Sequence, residues 1–293
     1  MKKLIVILGP TAAGKTALSI KLAKKFNGEI VSADSRQVYK GMDIGTGKIT
    51  KKEMEGICHY LLDVASPKRK FTVARYQKLG AEAINKILQK GKIPFLVGGT
   101  GFYIQAITNG LVIPEVKPDW KVRKNLEKLK TEKLFKLLKK LDPKRAETID
   151  KKNRRRLIRA LEISIKSGKP VPPLQRKPPQ FEVLKIGIKK SKKDLSELIK
   201  NRLLKRLRKG MISEVKRLKK SGVSWKRLEE FGLEYRYIAR YLQGRLNRSE
   251  MIEKIQKESE HYAKRQMTWF KRDKAIFWIK NQKEAEKLIK EFL

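Results

Sequence analysis

The chain has 293 residues, 40% of them apolar, and sets 73 lysines and arginines against 30 acidic residues, a formal net charge of +43. That is enough apolar material for one large or two small folded units and excludes wholesale disorder. No apolar run approaches the ~20 residues that span a bilayer, and the single cysteine, Cys58, excludes an internal disulfide and a cysteine-built zinc cluster, so a reduced, cytoplasmic compartment is expected.

In chain order, Leu4 to Leu8 is a continuous apolar run, as in a strand buried on both faces. It is too short for a signal peptide and leads into glycines rather than a cleavage site. Gly9-Pro10-Thr11-Ala12-Ala13-Gly14-Lys15-Thr16 follows, then a helix with apolar positions Leu18, Ile20, Leu22, Ala23 and Phe26. Asn27-Gly28 ends that helix, and Glu29 to Ala33 reads as a second strand. Tyr76, Leu79, Ala83, Ile84, Ile87 and Leu88 recur at helical spacing up to Gly91, and Ile93 to Val97 reads as a third strand ended by Gly98-Gly99. Strand, helix and strand in this order imply parallel pairing with right-handed crossovers. The pattern changes near Pro114 to Pro118. Residues 119–166 read as charged helix, a proline-rich break follows at Lys169 to Pro179, and Val183 to Ile188 alternates like a strand. Asp194 to Lys220 reads as one long basic helix, and Ala275 to Ile279 as a last strand. The expected fold is therefore α/β, a P-loop NTPase-like parallel sheet flanked by helices, with residues 1–118 and 183–293 as the core and an inserted all-helical domain at 119–182.

Gly9, Gly14, Lys15 and Thr16 fit G-x-x-x-x-G-K-[ST] with a strand before and a helix after. Glycines let backbone N–H groups turn around an anion, the helix start adds positive potential, Lys15 supplies a cation, and the Thr16 hydroxyl suits Mg²⁺. The motif specifies a pyrophosphate or polyphosphate and does not by itself say nucleotide. The usual acidic strand end that holds Mg²⁺ in P-loop NTPases is missing after Phe95-Leu96-Val97. Asp34, at the carboxyl end of the second strand, is placed to act as a metal ligand or base; a turn cap is the competing role. The basic excess points to a polyanion partner, nucleic acid first, because neutralised phosphates release counterions. A lysine-rich, heat-adapted surface explains the imbalance less well.

Separated segments carry a resemblance: Gly9 to Thr16, Ser32 to Thr46, His59 to Asp63, Leu96 to Tyr103, Arg156 to Glu162, Gly232 to Arg236 and Lys264 to Phe270. Together they resemble the tRNA dimethylallyltransferase (tRNA isopentenyltransferase) family in its bacterial form. The resemblance implies transfer of a dimethylallyl group from dimethylallyl diphosphate to the exocyclic amine of the adenosine 3′ of the tRNA anticodon, position 37. It implies Asp34 as general base, with Thr100 and Arg206 around the diphosphate and reacting centre. Gly9 and Thr11, Ala12, Ala13, Gly14, Lys15 and Thr16 form the diphosphate cradle, Thr16 holding Mg²⁺. Contacts with tRNA, at its anticodon stem-loop, are implied for Asp34, Ser35, Arg36, Gln37, Thr100, Arg123, Arg155, Arg156, Leu157, Ile158 and Arg159. Two departures from the family pattern, Gly47-Lys48-Ile49 where Ala-Lys-Pro is common and Lys271 before Arg272, lie away from this chemistry.

The residues support these expectations on their own terms. A diphosphate leaving group needs charge stabilisation, which a phosphate loop with Lys15 and Mg²⁺ supplies. On a helical wheel Arg202 and Arg206 fall in or beside the stripe of Leu195, Leu198, Ile199 and Leu203, and a buried arginine needs an anion; a core carboxylate is the rival to the diphosphate. Arg154, Arg155, Arg156 and Arg159 cluster on one helix and favour phosphate contacts. Gln37 has the amide to read an adenine edge or is an ordinary loop residue. Trp269 and Phe270 read as core rather than base-stacking residues, and His59 and His261 have no metal spacing. The target base is expected to be flipped out of its stack into a pocket between core and insertion. A monomer with no membrane association is expected. The rival functions are a nucleotide kinase, an adenylate dimethylallyltransferase acting on a free nucleotide, or a basic RNA-binding module with a vestigial loop.

Overall fold

The computed structural model describes residues 2–113, 116, 118–173 and 175–293. Pro114, Glu115 and Lys117, where the sequence pattern changes, lie outside the described residues. Among those described, the chain forms β1 (Lys2–Leu8), α1 (Lys15–Lys25), β2 (Gly28–Ala33), β3 (His59–Tyr60), α2 (Val73–Gln89), β4 (Ile93–Gly98), α3 (Gly101–Thr108), α4 (Trp120–Leu126), α5 (Thr131–Leu141), α6 (Pro143–Thr148) and α7 (Arg154–Ser167). It continues through β5 (Phe181–Ile188), α8 (Lys192–Arg208), α9 (Met211–Lys220), α10 (Trp225–Phe231), α11 (Leu233–Leu242), α12 (Arg248–Phe270), β6 (Ile276–Ile279) and α13 (Gln282–Phe292).

The strands form one sheet in the order β3-β2-β4-β1-β5-β6, every pair parallel. Parallel strands are covered on both faces, which is why β1 reads as unbroken apolar sequence. Its side chains nonetheless alternate. Leu4, Val6 and Leu8 pack with Ile84, Ile87, Ile104 and Phe270 on one face, while Ile5 and Ile7 pack with Ile20, Leu22, Ala285 and Ile289 on the other. A third apolar cluster joins α8 to α12 through Leu203, Met211, Val215, Leu228, Tyr235 and Ile255, and reaches Val38 and Met42 in the long connection after β2. The basic run 194–220 is two helices, not one: Gly210, in the left-handed region at φ 90°, ends α8 and starts α9.

The chain divides into two compact units, residues 1–110 with 178–293, and residues 111–177. The helical unit thus begins before residue 119 and ends before 182. Leu111 is buried and bridges antiparallel to Arg176, with the Val112 N–H donating to the Gln175 carbonyl at 2.9 Å, so the entering and leaving segments are stitched together at the unit's base. Within it, α4 to α7 enclose a core of Leu126, Leu134, Leu138, Leu157, Ile158 and Leu161.

Candidate active site

The phosphate loop, the turn after β2 and the turn after β4 meet at the carboxyl ends of three adjacent strands, where open α/β sheets place ligands. They line a cleft of about 530 Å³ with Thr11 to Ala17, Asp34, Gln37, Gly98, Gly99, Arg202, Tyr262 and Gln266 on its walls.

The loop's shape follows from its small residues. Ala12 and Gly14 have φ of 63° and 91°, and Gly14 precedes α1 with no side chain capping the helix start. The first N–H groups of α1 therefore remain available to an anion. Lys15 Nζ donates to the Gly9 and Pro10 carbonyls at 3.0 and 2.7 Å. Burial pushes this ammonium down to about 8, with the Asp34 carboxylate opposing the shift. The Thr16 side chain is exposed in the cleft. Among the described residues no group of three or more His, Cys, Asp or Glu side chains could cage a metal. The Thr16 hydroxyl is the donor in the loop that would suit a Mg²⁺ ion.

Asp34 takes the capping role that the sequence offered and also lines the cleft. Its Oδ1 accepts from the Arg36 and Gln37 N–H groups at 2.8 and 3.3 Å, a turn cap, while the side chain lines the cleft. The cap uses one carboxylate oxygen and leaves Oδ2. Thr100 stands beside this turn, its hydroxyl accepting from the Ser35 N–H at 3.1 Å. Tyr262 lines the same wall, its phenol pushed up to about 12 by burial and by Asp34. Arg36 turns away: its Nε donates to the Phe231 carbonyl at 2.8 Å and its guanidinium lies over the Phe231 ring. The Gln37 amide spans Ser32 and Gly47, accepting from the Ser32 hydroxyl at 3.2 Å and donating to the Gly47 carbonyl at 3.3 Å.

Arg206 is buried, 8% exposed, and carries the core carboxylate that the wheel left as a rival. Its Nη1 donates to Glu234 at 2.9 Å and to the Gly45 carbonyl at 3.1 Å, yet its Nη2 has no partner among the described residues. Burial pushes Glu234 up, with Arg206 opposing. Arg202, one turn earlier, donates to the Thr11 hydroxyl at 3.2 Å and to the Thr46 carbonyl at 3.3 Å. A Cβ on Gly47 would overlap both guanidiniums, and Gly47 lines the cleft, so this departure from the family pattern does not lie away from the chemistry as the sequence suggested. The 43–45 backbone is held in turn by buried Glu214, which accepts from three successive N–H groups and from the Tyr235 hydroxyl.

The helical unit's arginines divide into two kinds. Glu162, 0% exposed, accepts from Arg123 Nε and Nη2, both at 2.7 Å, from Arg159 Nη1 at 2.5 Å and from the Asp119 N–H at 2.7 Å. Arg154 Nη2 donates to the Glu127 carbonyl at 2.6 Å. Arg155 and Arg156 are exposed. Leu157 and Ile158 are buried in that unit's core, so their side chains serve packing rather than a nucleic-acid surface. Phe270 is core as expected, with Trp269 packed against it. Glu214, Tyr262 and Gln266 are the site residues that the sequence did not single out, while Arg202 was marked by the wheel without a role of its own.

Comparisons with known proteins agree along the whole chain. The profile of the IPP transferase family matches residues 37–273. A tRNA dimethylallyltransferase of Acetivibrio thermocellus is 41% identical over 300 residues, covering 99% of this chain and 96% of that protein. The crystal structure of a tRNA delta(2)-isopentenylpyrophosphate transferase from Staphylococcus epidermidis superposes with a TM-score of 0.74 at 35% identity, covering both chains fully. A eukaryotic dimethylallyltransferase acting on tRNA superposes at 0.77 and 30% identity, over 92% of this chain and 70% of that one.

Proposed function

The chain belongs to the IPP transferase family, and from that footing we propose which of its residues carry the transfer of a dimethylallyl group to a tRNA adenosine near the anticodon. The acceptor is the exocyclic N6 of the adenosine 3′ of the anticodon, and the donor is dimethylallyl diphosphate. The observation that carries this reading is the meeting of a phosphate cradle and a carboxylate, Asp34, in one cleft.

The donor's diphosphate sits in the loop of residues 11–16, against the free N–H groups at the start of α1 and Lys15. Arg206 lies behind the cleft wall at Gly47, and its buried Nη2, without a partner among the described residues, is the donor assigned to charge on the leaving group beside Arg202, which lines the cleft. Thr16 would hold Mg²⁺, which when bound supplies further positive charge to the diphosphate. N6 attacks C1 of the dimethylallyl group, and the C1–O bond breaks with its electron pair leaving on diphosphate. The N6 proton passes to the Asp34 carboxylate. An adenine amine is a weak nucleophile because its lone pair is shared with the ring, so a positioned base contributes about 10²–10⁴-fold. Thr100 holds the Ser35 N–H and with it the Asp34 turn. Arg155 and Arg156 meet tRNA phosphates, while Arg123 and Arg159 act through Glu162 by shaping the surface that bears them.

Among the described residues no helix is long and apolar enough to cross a membrane. We take the monomer in the cytoplasm as the working form, to be read by light scattering and cell fractionation. Incubation with dimethylallyl diphosphate and unmodified tRNA, then nuclease digestion, should yield prenylated adenosine. ATP turnover without that product, or prenylation of free AMP in preference to tRNA, would overturn the reading.

A further inference from the structure

The segment Lys264 to Phe270 lies in α12, more than 160 residues beyond the phosphate loop and the β4–α3 turn, and the reaction as described makes no use of it. Gln266 is 6% exposed and lines the cleft. Its Oε1 accepts from the Thr11 N–H at 2.8 Å, and its Nε2 donates to the Gly99 carbonyl at 2.8 Å. One primary amide thus satisfies a donor of the phosphate loop and an acceptor of the turn that carries Thr100. A primary amide offers both functions from one planar group. The backbone is fitted to it: a Cβ on Gly99 would overlap the Gln266 amide, and a Cβ on Gly101 would overlap the Trp269 indole. The α12 helix is therefore seated against the β4–α3 turn at two glycines.

We propose that Gln266 is a positioning residue that sets the separation of the donor-holding loop from the Thr100–Asp34 side of the cleft. This rests on the reading of the cleft as the prenyl-transfer site. Loop and turn lie on adjacent strands, β1 and β4, but beyond the strand ends the ladder no longer ties them. The amide replaces that ladder. It also commits the Thr11 N–H, so the diphosphate is met by later N–H groups of the loop. Its loss leaves the donor cradle and the Asp34 turn individually formed but free to drift apart, and a misplacement of about 1 Å costs on the order of 10²-fold in rate.

The test compares the wild-type chain with Gln266→Met, which keeps the shape and neither hydrogen bond, and Gln266→Glu, which keeps the acceptor for Thr11 but sets a carboxylate against the Gly99 carbonyl. Steady-state prenylation of tRNA, tRNA affinity and thermal melting are measured for all three. Gln266→Met should lose about 10²-fold in kcat with tRNA affinity within threefold of wild type. Gln266→Glu should lose kcat and also show a raised KM for dimethylallyl diphosphate, because its charge faces the diphosphate. Wild-type prenylation with a Met variant within threefold in kcat overturns the inference, as does a kcat loss matched by an equal loss of tRNA affinity and melting temperature. Absence of prenylation by the wild type overturns the reading of the site instead. Should Gln266→Met not fold, Gln266→Glu decides by the same comparison.

Discussion

The family resemblance implies a tRNA contact for Arg123, but its guanidinium grips Glu162 with two bonds of 2.7 Å. The two roles predict opposite results for Glu162→Gln. If Arg123 and Arg159 serve tRNA phosphates directly, neutralising their carboxylate frees them and tRNA affinity rises. If they are structural, as the geometry has it, the helical unit loses its central tie. Glu162 is fully buried and takes four hydrogen bonds, while Arg123 and Arg159 are 23% and 32% exposed. Breaking a buried pair costs about 3–5 kcal/mol, and partial exposure of the arginines puts this case near the lower end, about 3 kcal/mol. At 1.36 kcal/mol per decade, amide protection in α4 and α7 should fall by roughly a hundredfold. Hydrogen exchange of the full chain reads this, with the amides of β1 and β4 as an unchanged internal reference. Burial pushes Glu162 up, but hydrogen bonds from Arg123 and Arg159 outweigh it and hold the carboxyl below its ordinary range. A depressed folded value means stability that is present above the ordinary glutamate range and lost as pH falls through the folded one, so wild-type protection in α4 and α7 should decline on acidification below about pH 4; the Gln variant's should decline less, and in α4 only through the Asp119 cap that both proteins share. Unchanged protection in Glu162→Gln together with tighter tRNA binding would refute the structural assignment.

Asp34→Asn keeps the Oδ1 cap on Arg36 and Gln37 but no longer accepts a proton, so kcat should fall about 10²–10⁴-fold with tRNA affinity preserved; turnover near wild type would return Asp34 to a capping role alone. Gly47→Ala must displace the Arg202 and Arg206 guanidiniums, and its KM for dimethylallyl diphosphate should rise about tenfold, measured in the same prenylation assay at saturating tRNA. Arg155→Ala and Arg156→Ala should each reduce the slope of log affinity for tRNA against log salt by about 1, read by filter binding across a salt series; Arg154→Ala, whose guanidinium is engaged with Glu127, should change it less.

What could be read from the sequence divides by range of interaction. Strands β1 and β4 are unbroken apolar runs, and Lys15 and Thr16 stand at fixed distances from Gly9 and Gly14, so local pattern sufficed. The two-residue β3 has too little sequence to show a period. The α3 helix starts within Gly98-Gly99-Thr100-Gly101, whose glycines read as a loop, but Gly99 and Gly101 are needed for close approach of α12 and Gly98 for close approach of the Ala33 backbone. The break between α8 and α9 is hidden because the charges on either side are alike and only Gly210 marks it. Gln266 is invisible locally: a glutamine inside a charged helix has no spacing that announces partners at residues 11 and 99. The Arg159–Glu162 pair, at i and i+3, was legible in principle, but a dense arginine cluster drew the reading toward phosphate.

Strand β1 sits between β4, made before the helical unit, and β5, made after it, with Lys2 to Leu8 in register with Phe181 to Gly187. During synthesis the nascent chain therefore holds one edge of its central strand unpaired until the ribosome has passed the end of β5. At about 5–20 residues per second that interval is roughly 10–35 s. Residues 111–177 reach the tunnel exit complete before β5 can pair, so the helical unit can mature before β1 gains its second neighbour. An apolar edge left open that long is exposed to edge-to-edge association, and slowing translation before β5 has left the ribosome should increase aggregation of the nascent chain more than slowing it afterwards.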